Sequence, residues 1–488
     1  MAHKDKPAAD TGRPGYKGSR RIQAVTLSAL LSTIFFALGA IADFSSVYGI
    51  IRRIWPQQIQ PMSGDINVLY IPLASDRTVA KELVTVVSES YGDELQQRLP
   101  RALSEFTGDH SGYNVQVRVL ESLDLDADPN SVERVEQYQR VIRDHDSDIV
   151  VSGYLADTAK SIILQSEVFI SDGALEGAAE LGGIHYLDLS SAPIDPERSA
   201  EGRRRVRAEF VDQIEAYVRL IAAISLYVYG DNSAALSVLE RVRNEWSSPQ
   251  RRKVVNVFIG NAWGRLNDDM KAQSYYADSI VLDPSYARAR LGLAEIGYQR
   301  GNGGCQRGSI AYEMMEQNIL QYDAIFQATL GEPLDTQDIL ERAAFGRGRA
   351  NLCLALAMPN AARFATAQDD FSFVINQFNG GKKRLRPLAA ESHANRGLSL
   401  LSQKAEDTFS IEQYMDAAEE YRAAIPLLRD GVRQGVFYGM LGFIESQLGG
   451  SAARSCYLIA KELDPGRSNE YDEALTRLGE SNFHLPCV

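Results

Sequence analysis

Phe258-Ile259-Gly260-Asn261-Ala262-Trp263, then Lys271-Ala272-Gln273-Ser274-Tyr275-Tyr276-Ala277-Asp278-Ser279, and finally Leu282-Asp283-Pro284 form the stretch on which the reading of this chain turns. Small and apolar residues recur there at helical spacing, which predicts two consecutive helices. Gly260 and Ala272 are small where two such helices would cross closely, and Trp263 and Tyr276 are large where they would fill the space beside the crossing. Pro284 ends the second helix, because a proline ring cannot continue one.

The arrangement recurs along the chain. Before Pro465 come Ala453, Tyr457 and Ala460, with Ile444 upstream, although Leu441 stands where a smaller residue is expected. Gly397 and Leu400, followed by Ala417, Tyr421 and Ala424, make another unit. Ala223, Leu226, Ala235, Leu239 and Val242 fit an earlier one, and Gly348 with Phe371 and Val374 a later one. Ala287 to Arg300 reads as a first helix whose partner, Ile310 to Leu330, is displaced by Gly301-Asn302-Gly303-Gly304. The expectation is five or six helix pairs over residues 201–470, then a capping helix and tail over 471–488.

These units resemble the tetratricopeptide repeat family; a generic helical bundle is the competing reading. One helix pair cannot bury its apolar face, so neighbours must stack into a solenoid with a concave wall formed by first helices. Such walls hold a peptide or a partner's helix. Asn256, Asn261, Arg265 and Asn395 are the candidate groove residues, against the plain reading that they are solvated polar positions.

Upstream, over residues 65–200, the pattern changes to a small α/β unit with a mixed sheet. Ile66–Pro72 and Val115–Leu120 have strand character, as do Asp148–Tyr154, Ile162–Ile170 and Ile184–Leu189. Lys81–Phe106 and the segment opened by Asn130-Ser131-Val132-Glu133 read as helices, the first interrupted or kinked at Pro100. The order β-α-β-α-β-β-β argues a partly parallel sheet with an antiparallel extension. The strand ending in Pro72, the long helix and Asp148-Ile149-Val150-Val151-Ser152-Gly153-Tyr154 resemble the TolB amino-terminal domain. That resemblance implies a non-catalytic, protein-contacting module.

Ile22 to Ala42 contains no charged residue. A helix of that length reaches about 30 Å, the hydrocarbon thickness of a bilayer. Lys4, Lys6, Arg13, Lys17, Arg20 and Arg21 precede it, whereas only Arg52 and Arg53 follow nearby. The positive-inside rule places residues 1–21 in the cytoplasm as a basic tail and sends the bulk across. Residues 43–64 then form a juxtamembrane linker. The alternative is export after signal cleavage, since Ala40-Ile41-Ala42 has the small-x-small form of a cleavage site. Outside the cytoplasm disulfides become accessible, with Cys456–Cys487 and Cys305–Cys353 as candidate pairs and buried free thiols as the other reading.

The net charge of −13 argues against nucleic acid as a partner. The four cysteines form no C-x-x-C, and that spacing argues against zinc and thioredoxin chemistry. The six histidines are scattered, and neither H-E-x-x-H nor G-x-S-x-G occurs. Gly380-Gly381-Lys382-Lys383 lacks the rest of a phosphate-binding loop and reads as a basic turn. Asp124, Asp126 and Asp128 begin like a calcium loop, but Pro129 and Val135 occupy places that need glycine and glutamate. Asp144-His145-Asp146 reads as a polar helix end.

The sequence therefore predicts an α+β multidomain protein: a transmembrane helix over 22–42, a small α/β domain, and an all-α solenoid. Its expected role is a non-enzymatic, membrane-anchored scaffold without cofactor. Its partners would be a protein and the bilayer, with self-association open. The alternative is a ligand-sensing envelope protein whose α/β domain binds a small molecule and whose repeats relay the signal.

Overall fold

The computed structural model describes residues 62–75, 79, 81–107, 114–120, 123, 125, 132–157, 161–171, 181–193, 200–301, 310–328, 338–403, 410–478 and 486–487. Its first element is a six-stranded mixed sheet. The strands are β1 (Ile66–Tyr70), β2 (Ala74–Ser75), β3 (Val115–Val119), β4 (Ile149–Asp157), β5 (Ser161–Ile170) and β6 (Gly183–Pro193). They lie in the order β3-β1-β4-β5-β6, with β2 beside β4. β1 pairs in parallel with β3 and β4, while β5 runs antiparallel to both β4 and β6. The partly parallel sheet with an antiparallel extension is thus present.

Residue alternation builds the layers. Ile66, Val68 and Tyr70 of β1 face a core shared with Leu83, Val87, Tyr91, Leu95 and Leu99 of α1 (Lys81–Thr107). Leu69 and Ile71 face the opposite core, shared with Val135, Tyr138 and Val141 of α2 (Val132–His145). The crossovers β1-α1-β3 and β3-α2-β4 therefore use opposite faces of the sheet.

α1 differs from the expected interrupted helix: it runs unbroken through Pro100. Pro100 and Gln96, whose carbonyl loses its intrahelical donor, are both exposed, so water can satisfy that oxygen. Leu95, Leu99 and Leu103 stay buried on the other face and hold the turns together. The expected cap at Asn130-Ser131 lies outside the described residues, as does most of the Asp124–Asp128 loop.

From α3 onward the described chain is all helix. Six pairs follow: α3 (Ala200–Tyr229) with α4 (Asn232–Glu245), α5 (Pro249–Arg265) with α6 (Asp269–Leu282), and α7 (Ala287–Gly301) with α8 (Ile310–Ala328). α9 (Ile339–Ala357) then pairs with α10 (Ala361–Asn379), α11 (Arg386–Ser402) with α12 (Ile411–Ala424), and α13 (Gly431–Gln447) with α14 (Ala453–Leu463). α15 (Ser468–Leu478) packs on α14 and closes the described array.

Side chains cap the second helices of several pairs. Asp231 accepts from the Ala234 amide and Asp268 from the Lys271 amide, each satisfying an orphan N–H of the first turn. Ser410 and Gln413 form a reciprocal capping box on α12.

The sheet and the array do not have separate cores. One apolar cluster joins β1, β4 and β5 to α1 and continues through α3, α4 and α5 to Ala272 and Tyr276 of α6. Cys456 and Cys487 form a disulfide that ties the tail to α14. Cys353 is also disulfide-bonded, and Cys305, its expected partner, lies outside the described residues. Among the described residues no helix is long and apolar enough to cross a membrane; residues 22–42 are outside them.

Candidate partner-binding wall

The stack is made close by aromatic rings laid on glycines. A Cβ on Gly260 would stand 2.6 Å from Tyr276 Cε1, so only glycine lets α5 approach α6 at that point. Ala272 is fully buried in the same crossing, and Lys271 Nζ lies 3.6 Å from the centroid of the half-buried Trp263 ring. Pro284 follows α6, and its carbonyl accepts from Arg290 Nε at 2.9 Å.

Gly397 meets Tyr421 in the α11–α12 pair, where Ala417 is fully buried. In the last pair Ala453 and Tyr457 are buried, and Pro465 opens a short 3-10 turn. There Gly442, rather than the neighbouring Leu441, lies against the Tyr457 ring, and Leu441 is buried. Gly439 receives Tyr471 of the closing helix in the same manner. Sequence reading missed both glycines. The Gly435, Gly439 and Gly442 spacing along one helix was the available signal.

The early part of the wall is covered by the chain itself. Phe258 of α5 is fully buried, and its ring centroid lies 5.0 Å from that of His185 on β6. Arg288 of α7 is buried and donates to the carbonyls of Gly182 at 3.1 Å and Ile184 at 3.3 Å. Two of the three candidate groove residues of this pair are correspondingly interior, and Arg265 is half-buried. Asn256 is buried and its Oδ1 accepts from Arg243 Nε at 2.7 Å. Asn261 is buried and accepts from the Tyr276 hydroxyl. Arg265 donates to the Tyr227 carbonyl at 3.0 Å and stacks on its ring. These three are spent on internal contacts. Their polarity looked like an open wall only because the sequence does not show what packs against α5.

Asn395 on α11 differs: it is half-buried, and its amide donates to the Glu391 carbonyl one turn earlier, at 2.7 Å. Along the later array, ion pairs link successive pairs. Arg347 of α9 grips both carboxylate oxygens of Asp370, at 3.0 and 2.6 Å, and reaches Asp323 of α8 at 2.7 Å. Arg349 bonds Glu295 of α7 at 2.7 Å and stacks on Tyr298 and Phe345. Arg433 of α13 makes a two-pronged contact with Glu391 of α11, at 2.7 and 2.6 Å. Fork-to-carboxylate pairs of this kind fix orientation as well as distance. They hold neighbouring helix pairs against one another in one orientation.

Glu420 is the junction of α11 and α12, taking His393 Nδ1 at 2.8 Å and the Arg396 guanidinium. Burial alone would raise its pKa; the hydrogen bonds from His393 and Arg396 outweigh burial and hold it below the usual carboxylate value. In the sheet, Arg134 of α2 donates to Glu167 of β5 at 2.8 Å with both side chains fully buried. The Tyr138 hydroxyl donates to the same carboxylate oxygen, and burial raises the Glu167 pKa against both partners.

His145 stands 3.2 Å from Arg118 Nη1, and burial followed by that cation lowers its pKa. The Asp144-His145-Asp146 segment thus ends α2, with its histidine spent on a neighbouring side chain. Among the described residues no group of His, Cys, Asp and Glu is arranged to hold a metal ion.

No family model matches the chain, and no curated protein matches its sequence. Among solved structures it is similar to TTC0263, a thermophilic TPR protein of Thermus thermophilus: identity is 15%, coverage is 46% of this chain and 98% of that one, and the TM-score is 0.32. It is also similar to a tetratricopeptide repeat protein from Parabacteroides merdae, with 13% identity over 55% of this chain and all of that one, at a TM-score of 0.30. Yeast Tom70 is a third neighbour, with 12% identity, 54% and 68% of the two chains covered, and a TM-score of 0.20. By its own geometry, the helical part of this chain is a tetratricopeptide-like stack behind a small mixed sheet.

Proposed function

We propose that this chain is a membrane-tethered, non-enzymatic scaffold that holds a protein partner on the later pairs of its helical stack. The observation that carries the reading is the contrast along the wall. α5 and α7 are covered by the chain's own sheet, whereas on α11 the candidate groove residue Asn395 is half-exposed, one turn from Glu391, which Arg433 of the next pair grips. A pre-formed curved wall lowers the ordering cost of binding an extended peptide or a helix.

The tether is residues 22–42, with the N-terminus in the cytoplasm and the bulk of the chain beyond the membrane. The Cys456–Cys487 disulfide supports that side, because disulfides persist in oxidising compartments. The TolB-like pattern of the sheet unit supports a second protein-contacting surface.

Crosslinking in native membranes, followed by identification of the captured protein, tests the scaffold. Asn395→Arg should abolish a specific crosslink, whereas substitution of Val281 on α6 should not. Capture unaffected by Asn395→Arg, or measurable turnover by the purified chain, sinks this reading. A reporter active only outside the cytoplasm, fused after Val488, tests the orientation. A silent reporter reverses it, and a processed chain starting near Asp43 replaces the tether with export.

A further inference from the structure

A second surface joins parts of the chain far apart in sequence. The end of α2 and the residues after β5 face the turn between α10 and α11 across a cleft of about 450 Å³. Its floor is apolar, from Ile142 and the buried Phe169. Its rim carries Arg143, Lys382, Lys383 and Arg384, and no carboxylate is among the described residues that line it. In a chain of net charge −13, a rim carrying four cations stands out, although two of them are matched by acids behind it.

The four cations are not equivalent. Lys382 pairs with Glu341 and Arg384 with Asp338, both acids being buried at the start of α9. Those two cations hold the turn on the stack. Arg143 and Lys383 are exposed, and neither has a carboxylate partner among the described residues. Lys383 instead rests 4.7 Å from the centroid of Phe378, which props its ammonium at the rim. Gly381, at φ +115°, supplies the left-handed step that turns the chain there. The result is two cations without a carboxylate partner among the described residues, one on α2 and one on the α10–α11 turn, over an apolar floor.

We infer that this cleft is a binding site for a polyvalent oxyanion of the phosphate type, held between Arg143 on one side and Lys383 on the other. Such an anion would accept charge-assisted hydrogen bonds from both side chains at once. It would thereby link the sheet unit to the middle of the helical stack, which neither cation can do alone. Like charges lining one cleft repel, and a bound anion would offset that repulsion. The site is separate from the α11 wall and does not depend on a protein partner being found there.

Inorganic pyrophosphate is the probe, titrated into the purified chain at constant ionic strength while the unfolding temperature is followed. A saturable rise that chloride does not reproduce is expected. The double variant Arg143→Gln/Lys383→Gln should weaken the apparent affinity by about tenfold or more. Both residues are exposed and hold no buried acid, so the variant should fold with an unchanged baseline. Vesicles containing phosphatidylglycerol form a second arm. Co-sedimentation that the double variant loses assigns the oxyanion to a lipid headgroup, and a pyrophosphate response without co-sedimentation assigns it to a free phosphate compound. No response in either arm, or a response the double variant keeps, overturns the inference.

Discussion

A methyl group on Gly292 would lie 2.5 Å from Tyr276 Cε1. The same ring already lies against Gly260, so Tyr276 sits between the first helix of its own pair and the first helix of the next. One ring therefore fastens an intra-pair crossing and an inter-pair crossing together. Gly260→Ala and Gly292→Ala should each lower stability by about 1–3 kcal/mol, the usual cost of overpacking a filled core. Val281→Ala, at a side chain 81% exposed, should stay within about 0.5 kcal/mol of the parent. Chemical denaturation of the three variants decides it, and glycine variants as stable as the control would show that the ring is free to move aside.

The Arg134–Glu167 pair lies wholly out of water, with the Tyr138 hydroxyl on the same carboxylate. Removing only the acid strands a buried guanidinium, so Glu167→Leu should cost about 3–5 kcal/mol. Replacing both, as Arg134→Met with Glu167→Leu, should recover most of that loss. A double variant as unstable as the single one would mean that the pair itself, and not the orphaned charge, holds the sheet on α2.

His185 is buried, and desolvation, reinforced by the Arg288 cation, pushes its pKa well below 6.5. The folded chain keeps this imidazole neutral while the unfolded chain binds a proton near pH 6.5, the ordinary value. The group is therefore neutral in effect above pH 6.5, and below it stability falls by up to about 1.4 kcal/mol per pH unit. Denaturation of the parent and of His185→Gln between pH 7.5 and 5 should show the variant's stability falling less steeply, by about one proton. Parallel slopes would mean that His185 takes up its proton inside the fold.

Cys456 and Cys487 are separated by 31 residues and close the α14–α15 segment onto the tail. A loop of that size is worth about 2–4 kcal/mol in the chain-entropy account. Cys487→Ser should lower the unfolding midpoint accordingly and speed amide exchange in α14 and α15 first. Unchanged exchange there would show that α15 is held by Tyr471 on Gly439 without help from the bridge.

Much of this architecture is legible in local sequence. The alternation Ile66-Asn67-Val68-Leu69-Tyr70 already separates one sheet face from the other, apart from the polar Asn67, whose side-chain Oδ1 accepts from the Gly64 backbone N–H at 2.9 Å. The spacing of Gly260, Ala272 and Tyr276 marks a helix pair because crossing helices need a small residue where they touch. Pro100 misled because propensity does not register that its orphaned carbonyl faces solvent. Leu441 misled because a helix can rotate by one residue to offer Gly442 to Tyr457 instead. The candidate wall was the least legible part: Asn256 and Asn261 have the polarity of groove residues but lie inside.

By itself, the sequence determined the small mixed sheet and the run of paired helices, because each depends on periodicity within a short stretch; it left open whether and how the four cysteines pair, and the structure joins Cys456 to Cys487. Tertiary structure alone decided that β6 covers the early wall and that Arg143 and Lys383 line one cleft. Arg288 meets Gly182 across 106 positions of chain. Contacts at such range follow from the summed rotation of several helix pairs, and no local pattern of residues records that sum.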